Sequence, residues 1–243
     1  MTIKFNSFIF FLLYILSALS ISPISDCPRT ESRGRELFVA MCDSRGGANG
    51  LISTKFWNIT GAALRANGLN MTNVCYGFKD YSRYGLLTKP LLFNSYIKEF
   101  LLSRPKSELV HAIVMDSDTY WTVSDINDIW TVYDCVRGAK NIIVSSEPIC
   151  WMGRYCNEDD IKKWFTNISY TPSYSTFVNS GVVMGRAVDL SEMFQYVISN
   201  NKSYYRDTGW KMKFDDQIGI SDYSYAIAPE KVSIDYHQRL SGI

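Results

Sequence analysis

Two aspartates one residue apart, Asp116 and Asp118, close the apolar run at 109–115 in ELVHAIVMDSDTYW. A strand ending there delivers both carboxylates, with Ser117 between them, to the carboxyl end of an α/β sheet, the edge at which ligands bind. Paired hard oxygen ligands at that edge suit Mg²⁺ or Mn²⁺ carrying a diphosphate. Three further clusters have the residue types to complete such a site. Glu147 and Trp151 lie on a loop that follows a strand at 141–144, at the same sheet edge. FVNSGVVMG, residues 177–185, puts Asn179 and Ser180 before Gly181, where the backbone can approach a ligand closely. Asp215, Asp216 and Gln217 open a short helical segment, and His237 lies just beyond a last strand.

The elements that would position these residues alternate. Strand patterns at 37–42, 71–76, 109–115, 141–144, 176–184 and 232–235 are interleaved with helical periods at 53–67, 91–102, 126–136 and 190–199. Ser53 is a possible cap of the first helix and Gly68 its stop, while Gly138 ends the third. Such alternation predicts βαβ units and a mostly parallel sheet, an α/β fold.

Residues 5–21 form an apolar run behind Lys4, with Ala18-Leu19-Ser20 at a spacing that a signal peptidase accepts. Entry into the secretory pathway follows, with cleavage near residue 20; an uncleaved leader would be a short membrane anchor and the only membrane association. Four sequons, at Asn58, Asn70, Asn167 and Asn201, agree with a glycosylated protein of the endoplasmic reticulum or Golgi lumen, or a secreted one. Six cysteines fit that oxidising space, and of their pairings only Cys150 with Cys156 is suggested by proximity in sequence. Residues 35–243 suffice for one domain with its own core. A net charge of +1 without a basic stripe argues against a nucleic-acid partner.

The order of the stations VMDSD, SSEPICW, FVNSG, FDDQ and IDYH resembles the glycosyltransferase domain of the procollagen lysyl hydroxylases and related collagen glucosyl- and galactosyltransferase-like proteins. The resemblance runs from about residue 36 to the end and implies a GT-A, Rossmann-like domain. It implies a UDP-sugar donor, a glucose or galactose transferred to a hydroxyl of a glycoprotein or collagen-like acceptor, and a divalent cation held by Asp116, Asp118 and His237. It also implies that Lys89, in GLLTKPLL, faces the nucleotide and that Cys42 and Asp43 begin the uridine pocket. Glu147, Trp151, Asn179, Ser180, Gly181, Asp215, Asp216 and Gln217 match positions around the donor sugar and the acceptor. Retention at the anomeric carbon would follow by analogy.

The chain departs from that pattern in places. The family spaces its acids as Asp-x-x-Asp, so either Asp118 takes the metal role or the second ligand is missing. Tyr236 separates Asp235 from His237, Met152 replaces a proline, and the dioxygenase domain is absent. An imidazole beside two carboxylates favours Mn²⁺ over Mg²⁺. Lys89 would neutralise phosphate charge, Asp235 would end its strand, and either Asp215 or Asp216 would orient the acceptor hydroxyl or serve as its base. Two other readings stay open: a luminal binding protein that keeps the fold without catalysis, and a haloacid-dehalogenase-type phosphatase, whose first motif also begins with strand-Asp-x-Asp.

Overall fold

The computed structural model describes residues 27–43, 51–78, 85–104, 109–117, 119, 125–150, 175, 177–200, 204–205, 211–212 and 215–240; of 51–58, 204–205 and 211–212 it describes the backbone alone. The leader, Asp118, Trp151, Met152 and the Cys150–Cys156 pairing call therefore lie wholly or partly outside the described residues.

The main sheet has six strands: β1 (Glu36–Cys42), β2 (Met71–Asn73), β3 (Val110–Asp116), β4 (Ile142–Glu147), β5 (Phe177–Arg186) and, numbered in chain order after two short strands, β8 (Val232–Asp235). Their spatial order is β2-β1-β3-β5-β4-β8, with β5 antiparallel to both neighbours and every other pair parallel. The short pair is β6 (Tyr204–Tyr205) and β7 (Lys211–Met212). Helices are α1 (Leu51–Ala66), α2 (Thr88–Leu102), α3 (Ile126–Arg137), α4 (Ala187–Ser199) and α5 (Asp216–Asp222).

Alternation along each strand sorts the core onto two faces. Phe38, Ala40, Val110, Ala112 and Val114 point to the side covered by Phe93 and Ile97 of α2 and Leu190, Met193 and Phe194 of α4. Val39, Met41, Ile113 and Met115 point to the other, against Leu64 of α1 and Ile129, Trp130 and Tyr133 of α3. Two covered faces explain why the strands read as nearly unbroken apolar runs. They also explain why periodicity located them.

Boundaries shift where side-chain chemistry overrides pattern. The first helix begins at Leu51, so Ser53 lies inside it and is not its cap. β2 stops at Asn73 instead of 76, because the Asn73 side chain turns the chain: its Oδ1 accepts from the Asp43 and Cys75 N–H groups at 3.1 Å each. β4 runs on to Glu147, which puts Glu147 at the end of a strand and not on a loop. The second helix starts at Thr88, directly after a 3₁₀ turn at Gly85–Leu87, so Lys89 sits in its first turn.

The chain leaves β1 by α1 toward β2, then returns over β1 by α2 to β3. β1 and β3 are therefore the strands at which the winding reverses. The crevice beyond their carboxyl ends, bounded by Asp43 and Asp116, is where an open α/β sheet takes its ligand.

Two disulfides brace this frame: Cys27–Cys135 ties the amino-terminal segment to α3, and Cys42–Cys75 ties the end of β1 to the turn after β2. Cys150 is also disulfide-bonded.

Candidate active site

A cation in the first turn of a helix opposes the helix dipole. Lys89 occupies that place in α2 because two carboxylates hold it. Its Nζ lies 2.8 Å from Asp116 Oδ1 and 2.6 Å from Asp216 Oδ2, and donates to Ser180 Oγ at 3.1 Å and Ser180 O at 3.3 Å. The ends of β3, β5, α2 and α5 thus meet at one ammonium. Burial acts to lower the pKa of Lys89, yet the charges and hydrogen bonds of Asp116 and Asp216 outweigh it and hold the group above the usual lysine range.

The two aspartates are not equivalent. Asp216 is 5% exposed, whereas Asp116 is 36% exposed and is the carboxylate of the cluster that reaches solvent. Two negative charges and one positive leave the cluster acidic, with its open side at Asp116.

Asp215 and Asp216, adjacent in sequence, face different tasks. The Asp215 carboxylate accepts from the Gln217 and Ile218 N–H groups at 3.0 and 3.4 Å and so caps α5. Asp216 turns to Lys89. Gln217 links the cluster to β4 and β5: its Nε2 donates to Glu147 Oε1 at 2.5 Å, and its Oε1 accepts from Ser180 N at 3.3 Å. Glu147 is nearly fully buried.

The start of β5 carries a register shift against β4, between Val144 and Ser146. Asn179 and Ser145 shape it. Asn179 Oδ1 accepts from Gly181 N at 2.6 Å, while Ser145 Oγ reaches Asn179 O and Oδ1 at 3.0 and 3.2 Å and accepts from Val182 N at 3.1 Å. Bulges of this kind re-aim side chains beside functional sites. A Cβ on Gly181 would stand 2.6 Å from Asn179 Oδ1, too close for both to keep their places, and at an ordinary contact distance of 3.6 Å from Asp116 Oδ2, so glycine is what lets the Asn179 amide fold back over β5 here.

Sequence reasoning missed three supporting residues. Ser145 is one. Thr119 Oγ1 donates to Gly181 O at 3.4 Å, and Thr60 Oγ1 donates to Thr119 O at 3.0 Å, tying α1 to the turn after Asp116. Ser117 is buried within that turn. Hydroxyl residues near strand ends were an available signal for Ser145 and Thr119, whereas Thr60 lies within α1 and nothing local marks it; the partners of all three lie far away in sequence.

At the β1 side of the crevice, Asp43 is 2% exposed and Cys42 has its sulfur in the disulfide with Cys75. On the opposite flank, Asp235 ends β8; its carboxylate accepts from the N–H groups of Arg239 and Leu240, at 2.9 and 2.6 Å, and burial pushes its pKa up. His237 is exposed on the following turn, at the edge of a cavity of about 510 Å³ that Arg137, Lys140 and Arg239 also line. Among the described residues no three His, Cys, Asp or Glu side chains form a metal-binding group. Asp118 and Trp151 are outside those residues.

No protein-family model matches the chain, and no curated protein matches it in sequence. Solved structures do. A glycosyltransferase involved in the glycosylation of the major capsid of PBCV-1 superposes with a TM-score of 0.52 at 12% identity, over 82% of this chain and 81% of its own. The chain has a GT-A-type fold. Mouse xyloside xylosyltransferase 1, in its apo form, aligns over 82% of this chain and 84% of its own, with a TM-score of 0.43 and 10% identity. Within the GT-A-type fold the reversal crevice and the Lys89 cluster share one sheet edge, with Asp116 common to both.

Proposed function

We propose that the chain is a metal-dependent glycosyltransferase that moves a hexose, glucose or galactose, from a UDP-sugar to a hydroxyl of a glycoprotein or collagen-like acceptor. The observation that carries this reading is the ammonium of Lys89 held between Asp116 and Asp216 beside the reversal crevice. Kinship with the lysyl hydroxylase glycosyltransferase domain and residence in the secretory lumen belong to the same proposal. The long-range disulfides support the oxidising compartment.

Asp116 is the carboxylate of the cluster that reaches solvent, which fits a hard divalent cation. Asp118 would add a second carboxylate to the donor set; His237, expected to supply an imidazole, lies on the opposite flank beyond β8, three strands from β3, and does not line the crevice with Asp116. When bound, such an ion acts as a Lewis acid on the departing diphosphate. Lys89 adds a fixed positive charge that needs no reorganisation as the leaving group gains charge. The bond from the anomeric carbon to the diphosphate oxygen breaks with its electron pair on UDP, and a bond to the acceptor oxygen forms. Asp216, rather than the capping Asp215, has its carboxylate in the cluster, which supports it as the residue that would hold a sugar hydroxyl or take the acceptor proton. Gln217 and Glu147 fix the wall behind it.

The test is release of UDP from a panel of UDP-sugars by the purified protein with Mn²⁺, together with Mn²⁺-dependent UDP binding. Asp116→Asn should abolish both while the protein stays folded. Absence of UDP binding by the wild-type protein with Mn²⁺ would overturn the reading.

A further inference from the structure

The cavity of about 510 Å³ beside β8 lies outside the cluster described above, three strands from Asp116. Its size is that of a small-molecule pocket. One wall is the end of α3 with the turn that follows, and the other is β8 with its own following turn; Ser233 Oγ joins the two by donating to Arg137 O at 3.0 Å. Ile234 and Tyr236 supply an apolar part of the lining. Arg137, Lys140 and Arg239 bring three cations to it.

The acids near these cations balance only part of their charge. Asp235, the one carboxylate of the lining among the described residues, is 1% exposed, and its two oxygens accept from the N–H groups of Arg239 and Leu240. Asp134 pairs with Arg137 Nε at 2.9 Å but is shared with Arg35. Lys140 feels the charge of Glu230 and donates from Nζ to Val232 O at 2.7 Å. Cations at the end of a helix ordinarily complement its dipole, and that role accounts for Arg137. It does not account for Arg239. The guanidinium of this partly buried residue meets no carboxylate at ion-pair distance among the described residues; its Nη1 lies 3.3 Å from each sulfur of the Cys27–Cys135 disulfide, and sulfur is a weak acceptor. A guanidinium fork has the geometry to receive a phosphate or a carboxylate through two parallel hydrogen bonds.

We propose that this cavity binds a small organic anion, a phosphate ester or a carboxylate, with Arg239 and Lys140 at the anionic group and Ile234 and Tyr236 against its apolar part. The site is separate from the crevice at Asp116 and does not depend on the nucleotide-sugar reading.

The experiment titrates the wild-type protein with inorganic phosphate and with glucuronate, each in EDTA, by calorimetry. Without a divalent cation the crevice cluster, two carboxylates to one ammonium, repels both anions, so binding reports the cavity. At least one should bind; phosphate alone assigns a phosphate ester, and glucuronate alone a carboxylate. Arg239→Gln and Lys140→Gln should each weaken that binding by about tenfold, whereas Lys98→Gln, which removes an exposed cation of α2, should leave it unchanged. The bound anion should also slow modification of Arg137 and Arg239 by phenylglyoxal in the wild-type protein, a readout that needs no variant to fold. Failure of both anions to bind, an equal loss in Lys98→Gln, or arginines left unprotected by the bound anion would each overturn the proposal.

Discussion

Lys89 and Asp216 form an ion pair at 2.6 Å, with the carboxylate 5% exposed, although α2 and α5 are separated by more than a hundred residues of chain. Removing the cation leaves that carboxylate buried and uncompensated. Lys89→Met should therefore lower stability by about 3–5 kcal/mol. The Asp116 half of the cluster, 36% exposed, contributes no more than about 1 kcal/mol of that. In urea titrations the double variant Lys89→Met/Asp216→Asn should be more stable than the sum of the single losses. Simple additivity would show that the two side chains do not depend on each other.

Gly181→Ala should destabilise the protein by about 1–3 kcal/mol through overpacking, because the new methyl meets Asn179 Oδ1 at 2.6 Å. The same displacement breaks the Gly181 N–H to Asn179 bond that shapes the start of β5. UDP release should fall further than stability alone accounts for. Full activity in a folded Gly181→Ala protein would show that the Asn179 fold does not shape the site.

His111 predicts a pH dependence of folding. Its ring is buried, edge-on to Trp130 and Tyr133 at 5.1 and 5.3 Å, with Nδ1 3.1 Å from Leu109 O. Burial pushes its pKa down from 6.5 to about 4, with a small opposing pull from the Leu109 carbonyl. The unfolded chain takes up the proton below about pH 6.5 and the folded one does not. Stability is therefore complete above that pH and is lost as pH falls toward 4, by about 2–4 kcal/mol. Asp235, whose pKa is raised, acts in the opposite sense, so the readout is the difference between wild type and His111→Phe. The variant should lack the loss between pH 6.5 and 4; identical profiles would count against the buried neutral ring.

The Cys27–Cys135 disulfide spans 108 residues and packs beside Arg239, whose Nη1 lies 3.3 Å from both sulfurs. Opening so long a loop should cost about 4–5 kcal/mol. Cys27→Ala/Cys135→Ala should unfold at lower denaturant while UDP binding at low temperature persists, because the bond braces α3 and not the crevice. Loss of binding in the folded variant would tie this bond to the site.

What the sequence determined by itself was the α/β class, the last strand at Val232–Asp235, the other main strands to within a few residues, and the strand end that carries Asp116. Both faces of the sheet are covered, so each strand had to be apolar along its length, and that demand is written locally. Asp215, Asp216 and Gln217 were legible as a helix start for the same local reason: an acidic residue satisfies the first free N–H groups. Only the tertiary structure decided which acid caps and which one pairs, because Asp215 and Asp216 differ solely in the direction that the first turn of α5 gives them. The same holds for Lys89. Its sequence context shows a lysine before a helix, while its partners arrive from β3, β5 and α5 by long-range chain closure. Disulfide partners 33 and 108 residues apart were hidden likewise, since spacing says nothing about which strand ends the sheet order brings together.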